Sequence, residues 1–230
     1  MPAPPADTTP SSFKPPPPQS VTVPGPCGAL EARLVNPLPE GAAAPAVCVV
    51  CHPHPLHGGT MQNKVVHTAA RAVQEAGAPT LRFNFRGVEA SEGSYDAGVG
   101  EVDDALAAVA WMRQRFQCET LWLAGFSFGA AVALQAAVRG AVPAKLVTIA
   151  PPVGRIITDP IPRPDSDWLI VQGDHDELVD AQLVRQWAAG YEPPPRLLVI
   201  EGAEHFFHGK LLELRTGILR FVRGQDPGRA

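Results

Sequence analysis

At 230 residues, 45% hydrophobic and 18% charged, the chain is long enough to bury most of its apolar surface without covalent staples, and it reads as one domain of the large α/β kind. A formal net charge of −4 and a pI near 6.0 argue against nucleic acid or an anionic membrane as a partner. No apolar run reaches the length of a membrane span, and four cysteines, two of them three apart in one apolar run, do not make a disulfide framework; free thiols are expected.

Residues 1–20 are rich in Pro, Ser and Thr and nearly devoid of large apolar side chains. Such a segment cannot bury enough surface to offset its ordering entropy, so it reads as a flexible Pro-rich leader, with a single domain over residues 21–230. It lacks the basic and apolar regions of a secretory signal, which makes a cytoplasmic location the expectation. Residues 21–36 are β-like, with Leu30, Ala32, Leu34 and Asn36 on one side of a strand. Residues 46–51 form a continuous apolar run, short enough for a strand buried on both faces of a parallel sheet. It leads into His52-Pro53-His54-Pro55-Leu56-His57-Gly58-Gly59.

That stretch invites two other readings. The spacing Cys48, Cys51, His52 matches a c-type haem attachment site. Alternate residues of a strand point to opposite faces, so Cys48 and Cys51 would not converge on one porphyrin. A metal site from Cys51, His52, His54 and His57 lacks a compact second set of ligands, and none is expected.

A helix follows over residues 63–76, stopped by Gly77 and Pro79, and then a strand over 80–85. Residues 100–117 read as a helix with Val102, Leu106, Val109, Met112 and Phe116 on one face. Glu101, Asp103 and Asp104 in its first turn suit the helix dipole and read as solvated capping charge. An apolar run then ends at Ala124 and meets Gly125-Phe126-Ser127-Phe128-Gly129 with an Ala-rich helix immediately after. A strand–turn–helix junction of this kind strains the serine backbone and exposes its hydroxyl at the top of a sheet, which makes Ser127 the candidate nucleophile. The alternation of strands and helices continues through residues 145–150 and is that of a parallel sheet with helices on both faces.

Only about seventeen residues, five of them proline, separate Ala150 from Trp168, too few for a lid domain. The strand over 168–172 delivers Gly173-Asp174-His175-Asp176, where Asp174 and Asp176 compete as the acid of a triad. The last strand, 196–200, is followed by His205-Phe206-Phe207-His208 and a terminal helix over 210–223. His205, ahead of two phenylalanines that could pin it, is preferred to His208 as general base. The chain order Ser127, Asp176, His205 is the order this geometry requires. The histidine takes the serine proton, and the carboxylate holds its tautomer. An N–H of the loop after His52 is suited to a developing oxyanion. Because Pro53 and Pro55 carry none, His54 is the first choice and Leu56 the second.

These motifs, with Asn63-Lys64, Arg82-Phe83-Asn84-Phe85-Arg86-Gly87 and Glu204-His205-Phe206-Phe207, span the chain from about Val21 onward. Together they resemble the α/β-hydrolase superfamily, and within it the small cap-less bacterial serine hydrolases of carboxylesterase type. The resemblance implies an α/β-hydrolase fold without a cap, Asp176 as the acid, and an oxyanion hole from the N–H groups of Phe128 and a residue just after His52-Pro53. The family pattern in the Arg86 loop reads Arg-Gly-Val-Gly-x-Ser; here Glu89 stands for the second glycine, and no backbone role is carried over. The reading is a serine esterase for short to medium acyl chains, needing no cofactor and no metal, with thioesterase, amidase or small peptidase as alternatives and a non-catalytic or metal-binding scaffold behind them. Its expected partner is a small-molecule ester, with no nucleic acid and no membrane, in a monomer or weak homodimer.

Overall fold

The computed structural model of the chain describes residues 13–228. Residues 1–12, most of the expected leader, lie outside the described residues. The first strand, β1 (Gln19–Gly25), takes in the last two residues of that expected leader and turns at Pro26 and Cys27 into β2 (Gly28–Val35). The two pair antiparallel from Gln19↔Leu34 to Gly25↔Gly28, so the β-like stretch over 21–36 is a hairpin rather than one strand.

The next strand, β3 (Val47–Cys51), is buried throughout. Its alternation sends Val47, Val49 and Cys51 into one helical layer and Cys48 and Val50 into the other. The two cysteines therefore face opposite ways, and burial raises both thiols far above their usual range. Asn63 starts α1 (Lys64–Glu75) by accepting the Val65 and Val66 N–H groups at 2.8 and 3.4 Å. Then come β4 (Thr80–Phe83), α2 (Val99–Phe116), β5 (Leu121–Phe126), α3 (Phe128–Ala136), β6 (Lys145–Ile149), β7 (Asp167–Gly173), α4 (Ala181–Ala189), β8 (Arg196–Ile200) and α5 (Leu211–Val222).

The acidic start of α2 differs from the sequence expectation. Only Asp103 stays in solvent, paired with Arg139 at 3.0 Å. Glu101 is fully buried and accepts the Asp96 and Gly98 N–H groups at 2.8 and 2.7 Å, a cap turned inward. Asp104, also fully buried, receives Arg86 Nη2 at 2.7 Å, Nε at 3.0 Å and the Arg86 backbone N–H at 3.0 Å. A carboxylate leaves water only with such bidentate compensation.

The eight strands form one sheet in the order β1-β2-β4-β3-β5-β6-β7-β8. β2 is antiparallel to both its neighbours, and every pairing from β4 to β8 is parallel. Helices cover both faces: α2, α3 and α4 pack into one core with Phe83, Met112 and Leu123, while α1 and α5 pack into the other with Phe126 and Ile149. The chain leaves β3 toward β4 on one side and later returns to β5 on the other, and ligand sites of open α/β sheets sit at the carboxyl ends of the strands at such a reversal. Between β6 and β7 there is no helix, only an isolated bridge from Val153 to Ile157, so no lid covers that edge. Among the described residues no helix is long and apolar enough to cross a membrane.

Candidate active site

A single residue, Ser127, separates β5 from α3. The abrupt change of direction holds it at φ 53°, ψ −119°, a strain on the order of 1–3 kcal/mol for a residue with a Cβ. The turn closes only because its neighbours are glycines. A Cβ on Gly125 would stand 2.0 Å from the Gly129 carbonyl oxygen, and one on Gly129 would stand 2.4 Å from that of His52. The Ser127 N–H donates to Ile149 O at 2.8 Å, which ties the turn to β6.

The loop after β8 brings His205 Nε2 to 3.1 Å from Ser127 Oγ, and His205 Nδ1 lies 2.8 Å from Asp176 Oδ2. Both side chains are withdrawn from water, at 3% and 0% exposure. An ionised carboxylate only accepts, so Nδ1 carries the proton and Nε2 offers its lone pair to the serine hydroxyl. Phe126 and Phe206 pack on the imidazole with ring centroids 5.1 and 5.2 Å away, the second edge-on. Phe207 is instead buried in the α1/α5 core.

Burial works to raise the Asp176 carboxyl. The hydrogen bond from His205 and those from the Val179 and Leu178 N–H groups outweigh it and hold the group below its ordinary value. Asp174, its competitor, points elsewhere and accepts the Gly202 N–H at 2.6 Å. His208 is exposed and meets Glu204 at 3.2 Å. Two residues were not singled out in the sequence. Gln172 Nε2 donates to Asp176 Oδ2 at 3.0 Å, and Glu177 Oε2 accepts the His205 N–H at 3.1 Å. Both act across turns whose closure sequence spacing does not reveal.

The loop after β3 forms the other wall. His52 is fully buried; Nδ1–H donates to Pro53 O at 2.6 Å and Nε2 accepts the Phe85 N–H at 3.0 Å. Burial, partly offset by the bond to Pro53, pushes its pKa down to about 4, so it is neutral. His54 is half-buried, with Nδ1 accepting the Leu56 N–H at 3.2 Å and Nε2 lying 3.3 Å from Tyr95 Oη. Its ring centroid is 4.3 Å from that of His57 and 5.0 Å from that of Phe128. Among the described residues no group of three His, Cys, Asp or Glu side chains is arranged to hold a metal ion. Gly59 is required by the loop's own close packing, since a Cβ there would meet Pro53 O at 2.2 Å.

Comparisons with known proteins fall on one fold. The family model of the X-Pro dipeptidyl-peptidases (S15 family) matches residues 28–160. A structure of an α/β serine hydrolase without a lid from Xanthomonas campestris is 43% identical and superposes with a TM-score of 0.84, covering 96% of this chain and 100% of its own. An α/β serine hydrolase homologue from Coxiella burnetii is also 43% identical, with a TM-score of 0.82 over 89% of this chain and 97% of its own. An uncharacterized protein of Rickettsia prowazekii is 36% identical over 206 residues, 84% of either chain.

Proposed function

The chain belongs to the α/β serine hydrolases without a lid, and on that footing we propose that it hydrolyses carboxylic esters of short to medium acyl chain through an acyl-enzyme on Ser127. The observation that carries the reading is the unbroken relay from Ser127 Oγ through His205 to Asp176, set at the top of a strained strand–helix turn. In this reading Ser127 Oγ attacks the ester carbonyl while its proton passes to His205 Nε2. The negative oxygen of the tetrahedral intermediate is met by the N–H groups of Phe128 and His54. Neither N–H is taken by another hydrogen bond among the described residues, whereas the Leu56 N–H is already given to His54 Nδ1. His205 returns its proton to the leaving alcohol, then takes one from water, whose attack on the acyl-enzyme releases the acid and frees Ser127. Asp176 holds the tautomer and balances the imidazolium that forms twice in the cycle.

The match to the X-Pro dipeptidyl-peptidase family favours a second reading, cleavage of a peptide or other amide by the same groups. That match ends at residue 160, before Asp176 and His205 are reached.

The deciding experiment compares p-nitrophenyl acetate, butyrate and octanoate with a thioester and an X-Pro p-nitroanilide, wild type beside Ser127→Ala. Ester turnover should lead the series and fall by at least about 10⁴-fold in the variant. A wild type that a fluorophosphonate labels at Ser127 but that cleaves no ester would overturn the ester assignment and leave the nucleophile standing.

A further inference from the structure

A cleft of about 310 Å³ opens beside the reacting groups, between the start of α2, one face of α3 and the lid-less segment after β6. Its size is at the lower end of the ~300–1,000 Å³ typical of small-molecule sites. None of Ser127, Asp176 or His205 lines it; its link to the chemistry is Phe128. We propose that this cleft receives the acyl chain of the substrate and that Ala131 sets how much chain it admits. The assignment rests on the acyl-transfer reading of Ser127 given above.

Three features lead to it. The first is continuity. Phe128, whose N–H is offered to the oxyanion, lends its ring to the cleft, and Ala131, Val132 and Gln135 carry the wall onward along α3. At about 1.5 Å per residue that wall moves steadily away from Ser127. The second is polarity of direction. A leaving alcohol must lie within reach of His205 Nε2, which protonates it, yet the rings packed on His205 are those of Phe126 and Phe206, and neither borders the cleft. A chain lying along α3 is therefore the acyl half of the ester, not its alcohol. The third is chemistry. Val102, Ala131, Val132, Ile157 and Ile161 are all under 9% exposed and present hydrocarbon to the cleft. The charged group along it, Arg139, is engaged with Asp103 at 3.0 Å, where the end of a chain would meet water. Val99 and Ile156, 63% and 43% exposed, stand along the same cleft as large apolar side chains that a bound chain would cover.

Ala131 is the smallest side chain of the α3 wall. A larger residue there grows into the open space, so it shortens the slot without adding a charge.

The test measures the rate at which octyl and methyl fluorophosphonates label Ser127, a reaction that needs no knowledge of the true leaving group. The wild type should favour the octyl probe. Ala131→Leu should lower the octyl-to-methyl ratio at least tenfold, since each methylene denied apolar contact costs about fourfold. Ile156→Ser, at a position 43% exposed, should lower the ratio by about fourfold, the contact of one methylene. A ratio unmoved in both variants overturns the cleft assignment alone. Failure of both probes on the wild type overturns the nucleophile, and the assignment with it.

Discussion

Two walls of one site use the same side-chain types to opposite ends. After β3 and β4, polar side chains are spent on fixed partners. His52 joins Pro53 O to the Phe85 N–H, Asn84 joins the Met61 N–H to Glu31, and Arg86 is locked on Asp104. After β7 and β8, His205 and Asp176 are as well buried, but the imidazole's partners are a carboxylate and a serine hydroxyl, and in the proposed mechanism only the hydroxyl proton moves, to His205 Nε2. Both histidines make two hydrogen bonds. His52 has no acidic partner to balance a charge, so it stays neutral and stitches loops, whereas His205 has Asp176 beside it to balance the charge that the proposed mechanism places on its ring. The difference between a fastener and a relay is one carboxylate. Substitutions on the first wall should therefore move stability, and those on the second should move turnover.

The largest effect falls on the relay wall. Asp176→Asn keeps an acceptor for the Leu178 and Val179 N–H groups, but its amide would face Gln172 Nε2 and His205. The imidazole would then turn its protonated nitrogen toward Ser127 and could no longer take the serine proton. A loss of about 10⁴-fold in kcat is expected, beside a stability cost on the order of 1–3 kcal/mol from the amide that faces the buried Gln172 donor. Asp174→Asn retains the oxygen that receives the Gly202 N–H and should change kcat by less than about threefold, within the range of an exposed substitution. Steady-state ester kinetics on the pair decide it; the reverse ranking would route the relay through Asp174.

How much of this was legible depends on distance along the chain. The turn at Ser127 is local: strand, Gly-x-Ser-x-Gly and helix adjoin, so steric need writes itself into consecutive residues. His205 was legible from its place after the last strand. Asp174 and Asp176 were not separable by spacing, because two carboxylates two residues apart in one loop differ only in which way the turn throws them. The resemblance ranked them, and the geometry places only Asp176 against His205. Glu101 and Asp104 are buried rather than solvated for the same reason, since the partners that allow their burial come from other turns of the chain. The helix α4 carries a local signal that is legible in the sequence: Asp180 caps it by accepting the Gln182 N–H, and Val184 and Ala188 form its buried stripe.

The first wall makes a pH prediction. The folded-state pKa of His52 lies near 4, against about 6.5 for a free histidine, so between those values the unfolded chain binds more protons. Its contribution is complete above about pH 6.5 and declines as pH falls toward 4, by on the order of 3 kcal/mol in all. Urea unfolding at pH 7 and pH 4.5 should show this loss in the wild type. His52→Gln cannot titrate, so it should be less stable at pH 7 and have a shallower pH slope. Carboxylates contribute equally to both proteins, so equal slopes would show that His52 accepts a proton without cost and is no fastener.

The smallest effect tests the same wall at a single backbone angle. Glu89 has φ +50°, in the left-handed region that Cβ-bearing residues resist, and it stands where the family pattern has glycine. Its side chain is exposed and makes no hydrogen bond or ion pair among the described residues, so nothing in the fold compensates for the conformation. Glycine would remove a strain of about 1–2 kcal/mol and return roughly half of it as extra freedom of the unfolded chain. Glu89→Gly should therefore raise unfolding free energy by about 0.5–1 kcal/mol with kcat unchanged. Glu89→Ala separates the backbone from the lost charge, because alanine keeps the Cβ and should gain nothing. If both variants gained equally, the glutamate charge rather than the angle would be the source of the strain. A change in kcat at Glu89 would mean that the loop after β4 takes part in the chemistry, and the division between a wall that fastens and a wall that relays would fall.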